Sequence, residues 1–113
     1  MNIRVAIPLF VTLLLGCGSA LAEAGSVTID SPANDTTVSS GDDVALTFHA
    51  VPGPNGDHLH LNLDGRRIDI IRRMQGTAEV GQLPPGRHHI CLAVNTKSHV
   101  PTGVEGCIDV TSR

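Results

Sequence analysis

The stretch Gly56-Asp57-His58-Leu59-His60-Leu61-Asn62-Leu63-Asp64-Gly65 decides how this chain is read. Leu59, Leu61 and Leu63 alternate with His58, His60 and Asn62, a period of two that a β-strand satisfies and a helix does not. One face of that strand is apolar and turns to a core. The opposite face is polar and carries two imidazoles. Asp64-Gly65 is a strong hairpin signal, so a further strand is expected directly after it.

The same alternation recurs on both sides. Upstream, Val44-Ala45-Leu46-Thr47-Phe48-His49-Ala50 puts Val44, Leu46, Phe48 and Ala50 on one face. Ser26 to Asp30 is a short first strand, ended by Ser31-Pro32-Ala33-Asn34-Asp35, and Pro52-Gly53-Pro54-Asn55-Gly56 turns the chain ahead of the histidine strand. Downstream, Arg66 to Ile71 and Thr77 to Val80 read as weaker strands. Leu83-Pro84-Pro85-Gly86 then leads into alternating Ile90, Leu92 and Val94, and Val104 to Val110 closes the chain. Short strands punctuated about every 8–12 residues predict an all-β fold, an immunoglobulin-like Greek-key sandwich of about seven strands.

Residues 1–22 read as a cleaved signal peptide. Arg4 gives a minimal positive start, Val5 to Leu15 form an apolar run, and Ala20-Leu21-Ala22 is an A-x-A site placing cleavage before Glu23. The run falls well short of the roughly 20 residues that span a bilayer, so the chain is not expected to be transmembrane. The sandwich domain is then residues 23–113, exported to the periplasm or secreted. Leu14-Leu15-Gly16-Cys17 also resembles a lipobox, and lipid anchoring at Cys17 is the alternative.

Composition excludes several functions. The whole chain has two phenylalanines and no tryptophan or tyrosine, and Phe10 falls in the leader. Carbohydrate and single-stranded nucleic acid are usually held on exposed aromatic rings, which leaves Phe48 alone to serve. A formal net charge of −3 gives no footprint for a phosphate backbone, so no nucleic-acid partner is expected. Arg66, Arg67, Arg72 and Arg73 flank Ile68 to Ile71 and mark a sheet edge that charge protects from aggregation. The chain has no recognisable nucleophile–base motif, Gly-rich phosphate loop or spaced carboxylate pair, so it is not expected to be an enzyme.

Cys91 and Cys107 both run out of phase with their apolar neighbours. If Lys97 to Pro101 turns the last hairpin, paired residue numbers sum to about 198, which sets the two cysteines opposite one another. In an oxidising compartment they form a disulfide staple for a small domain.

The six histidines sort by position along the expected strands. His49, His58, His60 and His99 converge at one pole, whereas His88 and His89 lie at the other. His58 and His60, two apart on a strand, leave the same face while Leu59 enters the core. Such a pair brackets one metal, His99 is the natural third ligand, and His49 or Asp57 supplies a fourth. An imidazole-rich set suits Cu(II) first and Zn(II) second. With Met74 the only methionine after the leader, a thioether site for Cu(I) has little support. His88 has the parity of Ile90 and is structural, its ring hydrogen-bonding nearby backbone at a corner where many sandwiches place a tyrosine. His89 points outward.

Taken together, Gly56-Asp57-His58-Leu59-His60-Leu61, Leu83-Pro84-Pro85-Gly86-Arg87-His88 and His99-Val100-Pro101 resemble a group of uncharacterised exported bacterial immunoglobulin-like domains. Those carry a Gly-x-His-x-His strand, then Pro-Gly-x-His entering an apolar strand, then His-x-Pro in the next loop. The resemblance spans about residues 27–111 and implies a small periplasmic immunoglobulin-like domain, without implying a reaction. Some relatives have further histidines where this chain has Asp57 and Thr102. The function expected is carriage or buffering of copper or zinc. The alternative is an exported interaction or adhesion module with an unknown protein partner and no metal.

Overall fold

The computed structural model describes residues 24–113. The expected signal peptide and the alternative of lipid anchoring at Cys17 lie outside the described residues. Eight strands follow in order: β1 (Ser26–Ser31), β2 (Thr36–Val38), β3 (Asp43–Val51), β4 (His58–Leu63), β5 (Arg66–Ile71), β6 (Gln75–Gln82), β7 (Gly86–Asn95) and β8 (Pro101–Ser112). They form two sheets, β1-β3-β6 and β2-β8-β7-β4-β5, with the chain crossing between them after β1, β2, β3, β5 and β6. This is the expected sandwich with Greek-key connections.

The strand beyond the seven expected is β2. Three residues are too few to show a period, and Thr36–Val38 pairs parallel to the distant end of β8, a partner no local pattern announces. β5, the arginine-bearing strand, lies at the edge of the five-stranded sheet. Among the described residues, no helix is long and apolar enough to cross a membrane.

The core fills the space between the sheets. Val44, Leu46 and Phe48 of β3 and Ala78 of β6 face Leu59 and Leu61 of β4, Ile90, Leu92 and Val94 of β7, and Ile108 and Val110 of β8. Each comes from the apolar phase of its strand, so the period of two directly sets which side chains leave water. The sheets approach closely where β1 meets β8. A Cβ on Gly106 would stand 2.5 Å from the Val27 carbonyl oxygen, so that contact requires glycine.

One ladder and one loop place the functional residues. β4 and β7 are antiparallel, with His58 opposite Asn95 and His60 opposite Ala93, so the start of β4 lies beside the end of β7. The loop 96–100 leaves β7 at that point. It is closed by Thr96 N donating to Val100 O and His99 N donating to Thr96 O, at 2.8 and 2.9 Å. This loop folds over the polar face of β4, and His58, on the outer side of the sheet, is left only 1% exposed.

Candidate metal centre

Three imidazoles meet where the loop covers β4. His58 Nε2 lies 3.0 Å from His60 Nε2 and 3.2 Å from His99 Nδ1, and the last two are 3.1 Å apart. The β-period brings His58 and His60 together. His99 arrives from a turn in which its own backbone has φ of +63°, the left-handed region that costs an L-residue energy.

That triangle cannot be satisfied by hydrogen bonds. An imidazole nitrogen either carries a proton or presents a lone pair. Among three mutually close nitrogens, at least one pair must therefore be donor facing donor or acceptor facing acceptor. The Asp57 carboxylate settles one member. Its Oδ2 accepts from His58 Nδ1 at 2.8 Å, which puts the proton on that nitrogen and turns the Nε2 lone pair to the centre. The hydrogen bond from His58 holds the Asp57 carboxyl below its ordinary pKa, aided by the nearby positive charge of Arg72 and Lys97. Burial, then the positive potential of His58, Arg67 and His99, pushes the His60 pKa down and favours its neutral, ligating form.

A cation resolves the frustration, and the size fits. A metal about 2.05 Å from all three nitrogens would stand roughly 1 Å off their plane with N–metal–N angles of about 94–103°, between the octahedral and tetrahedral values. Asn95, opposite His58, is 1% exposed, and its Oδ1 is buried without a hydrogen-bond partner while Nδ2 donates to Ala93 O.

His49 does not join this cluster. It belongs to β3, in the other sheet, and its parity opposes that of Phe48, so it stands on the far outer face of the sandwich. There Nδ1 meets Asp30 Oδ2 at 2.9 Å, with the His49 side chain 57% exposed. Sharing a pole does not bring two histidines together, because residues at the same end of a sandwich can lie on the outer faces of two sheets about 10 Å apart. Asp57 also differs from the fourth-ligand expectation, since it stands behind His58 as its hydrogen-bond acceptor.

His88 packs where the chain enters β7, with Nε2 donating to Pro84 O and Nδ1 meeting Asp64 Oδ2, both at 2.7 Å. Both nitrogens face acceptors, so Asp64 first and the Pro84 carbonyl second raise the His88 pKa. Cys91 and Cys107 are direct partners in the β7–β8 register and form a disulfide with Cα atoms 4.1 Å apart. Sequence reasoning missed Asn95 and the pairing of His89 with Asp109, because both depend on neighbours in other strands. Two clefts, of about 440 and 430 Å³, lie elsewhere, one beside Thr37, Val38 and Asp43 and one beside Arg66 and His88.

No protein-family model matches the chain, and no curated protein matches it either. Solved structures do. The fibronectin(III)-like modules of Clostridium thermocellum CbhA are similar with a TM-score of 0.62 and 14% identity, covering 77% of this chain and 95% of the module. The fold is immunoglobulin-like. A lytic polysaccharide monooxygenase from Jonesia denitrificans, solved by neutron crystallography, is similar with a TM-score of 0.51 and 16% identity over 77% of each chain. At these identities the likeness concerns the fold alone.

Proposed function

We propose that this protein is an exported metal-binding sandwich that carries or buffers copper, with zinc the next candidate, through His58, His60 and His99. The observation that carries this reading is the triangle of three imidazole nitrogens at 3.0–3.2 Å, which hydrogen bonding cannot satisfy and a cation can. Neutral imidazoles prefer Cu(II) over Zn(II) at equal availability, which places copper first. The A-x-A leader and the Cys91–Cys107 disulfide agree with an oxidising compartment, and the resemblance to exported domains points the same way.

The similar sandwich of a monooxygenase shares a framework with this chain, and that alone assigns no reaction.

The test is titration of the metal-stripped domain with Cu(II) and Zn(II), following Zn(II) by the ring signals of each histidine and Cu(II) by their paramagnetic broadening. Stoichiometric binding that moves His58, His60 and His99 while sparing His49 and His88 is expected. Saturation without effect on those three rings removes the metal, and the interaction-module reading takes its place.

A further inference from the structure

A second cluster lies on the same outer face of the five-stranded sheet. Cys91 and Cys107 are cross-strand partners on β7 and β8, and the next same-face pair along the ladder is His89 with Asp109. The four side chains form a two-by-two patch, distinct from the trihistidine. His89 Nδ1 meets Asp109 Oδ1 at 2.9 Å, and His89 Nε2 lies 3.2 Å from Cys91 Sγ. Asp109 is also 3.3 Å from Arg87 Nη2, and these partners, the His89 ring first, hold its carboxyl below its ordinary pKa.

The arrangement repeats the logic of Asp57 and His58. A carboxylate accepts a hydrogen bond from Nδ1–H, which holds the proton on that nitrogen and leaves the Nε2 lone pair aimed at a neighbouring ligand atom. Here that atom is a disulfide sulfur, which has no proton to offer. The lone pair is therefore unused while the bond is closed, and a cation held by the opened sulfurs would use it. His89 Nε2 and both Sγ atoms lie within 4.8 Å of one another.

We infer that opening the Cys91–Cys107 bond creates a second metal site, in which Cys91 Sγ, Cys107 Sγ and His89 Nε2 bind a divalent cation of the zinc class. Two thiolates and one imidazole are an established zinc donor set that leaves a fourth position for water. Asp109 acts as a positioning residue for the ring. The opening step is exchange with a dithiol. Its thiolate attacks Sγ of Cys107, the more exposed of the two cysteines, and the electron pair of the broken S–S bond passes to Cys91 Sγ beside His89. The second thiol of the dithiol then attacks its own sulfur in the mixed disulfide and releases Cys107. The dithiol leaves as a disulfide, having passed two electrons and two protons to the cysteines, and the incoming metal displaces those two protons. The donor chemistry differs from the all-nitrogen trihistidine, so neither site depends on the other.

Cobalt(II) tests this, because thiolate ligation gives a charge-transfer absorption that imidazole ligation does not. The protein is reduced with a dithiol reagent, freed of it without air, and titrated with Co(II) beside the oxidised protein. The expected result is one added equivalent in the reduced protein, with the thiolate band, and displacement of that band by Zn(II). His89→Gln is expected to weaken the band-reporting equivalent by more than tenfold. Asp109→Asn should weaken it by about 10–100-fold. A folded reduced protein without the band, a band untouched by His89→Gln, or loss of strand circular dichroism on reduction would each overturn the inference. The oxidised titration reads the trihistidine separately, so failure of one site is told from failure of the other.

Discussion

Asp57 Oδ2 accepts a hydrogen bond from Nδ1–H of His58, its immediate neighbour in sequence, at 2.8 Å. Consecutive residues in a strand point to opposite faces, so this contact exists because Asp57 precedes β4 and is free of its pleat. The bond fixes the tautomer of the most buried member of the trihistidine. Asp57→Asn keeps a carbonyl acceptor but removes the charge that makes His58 a better ligand. Metal affinity, measured by calorimetric titration, is expected to fall about 10–100-fold, with little change in the melting temperature of the metal-free protein.

His99 tells site from scaffold. Its φ of +63° is a conformation that glycine adopts without cost, and its ring is not part of the apolar core. His99→Gly should leave the metal-free protein about as stable as the parent and remove the third ligand. In the parent, metal at about 100 times its dissociation constant should add roughly 2.7 kcal/mol of stability. That rise should largely vanish in His99→Gly, as read by thermal unfolding with and without metal.

The His88–Asp64 pair makes stability depend on pH. Asp64 accepts from the His89 backbone N–H, which chiefly holds its carboxyl below 3.8, while Asp64 and the Pro84 carbonyl raise His88 above 6.5. The raised His88 pKa gives stability that is complete below its unfolded value and is lost as pH rises through the folded one. The depressed Asp64 pKa gives stability that is present above its unfolded value and is lost as pH falls through the folded one. The advantage of the parent over His88→Gln should therefore be largest between about pH 4 and 6.5 and shrink on the alkaline side. Urea unfolding of both proteins across that range checks it.

Gly106 carries the contact between β1 and β8. A methyl group there would meet the Val27 carbonyl oxygen at 2.5 Å, and both partners belong to strands. Gly106→Ala should cost about 1–3 kcal/mol in chemical denaturation. Metal binding at the trihistidine, on the outer face of the five-stranded sheet, should survive it.

Much of the architecture was legible along the chain because burial in a sandwich repeats every second residue. Leu59 and Leu61, Ile90 to Val94, and Val44 to Phe48 all declared their inward faces, and the sum rule for the last hairpin paired Cys91 with Cys107. The trihistidine was partly legible for the same reason. His58 and His60 share a face by period, and His99 follows from β7 running antiparallel to β4. His49 was misplaced because a period of two reports inside or outside, and does not report which sheet's outside.

The sequence by itself determined the strand phases, the disulfide partners and the residue types available to bind a cation, since each depends on local alternation or on a short hairpin. Only the tertiary structure decided which imidazoles meet. It buried His58 under the loop 96–100, turned Asp57 behind it, removed His49 to the far face, and set His89 against Cys91 with Asp109 in support. Those relationships arise from the pairing of strands distant in sequence, and the distance between two side chains on neighbouring strands is fixed by register, which no single strand carries.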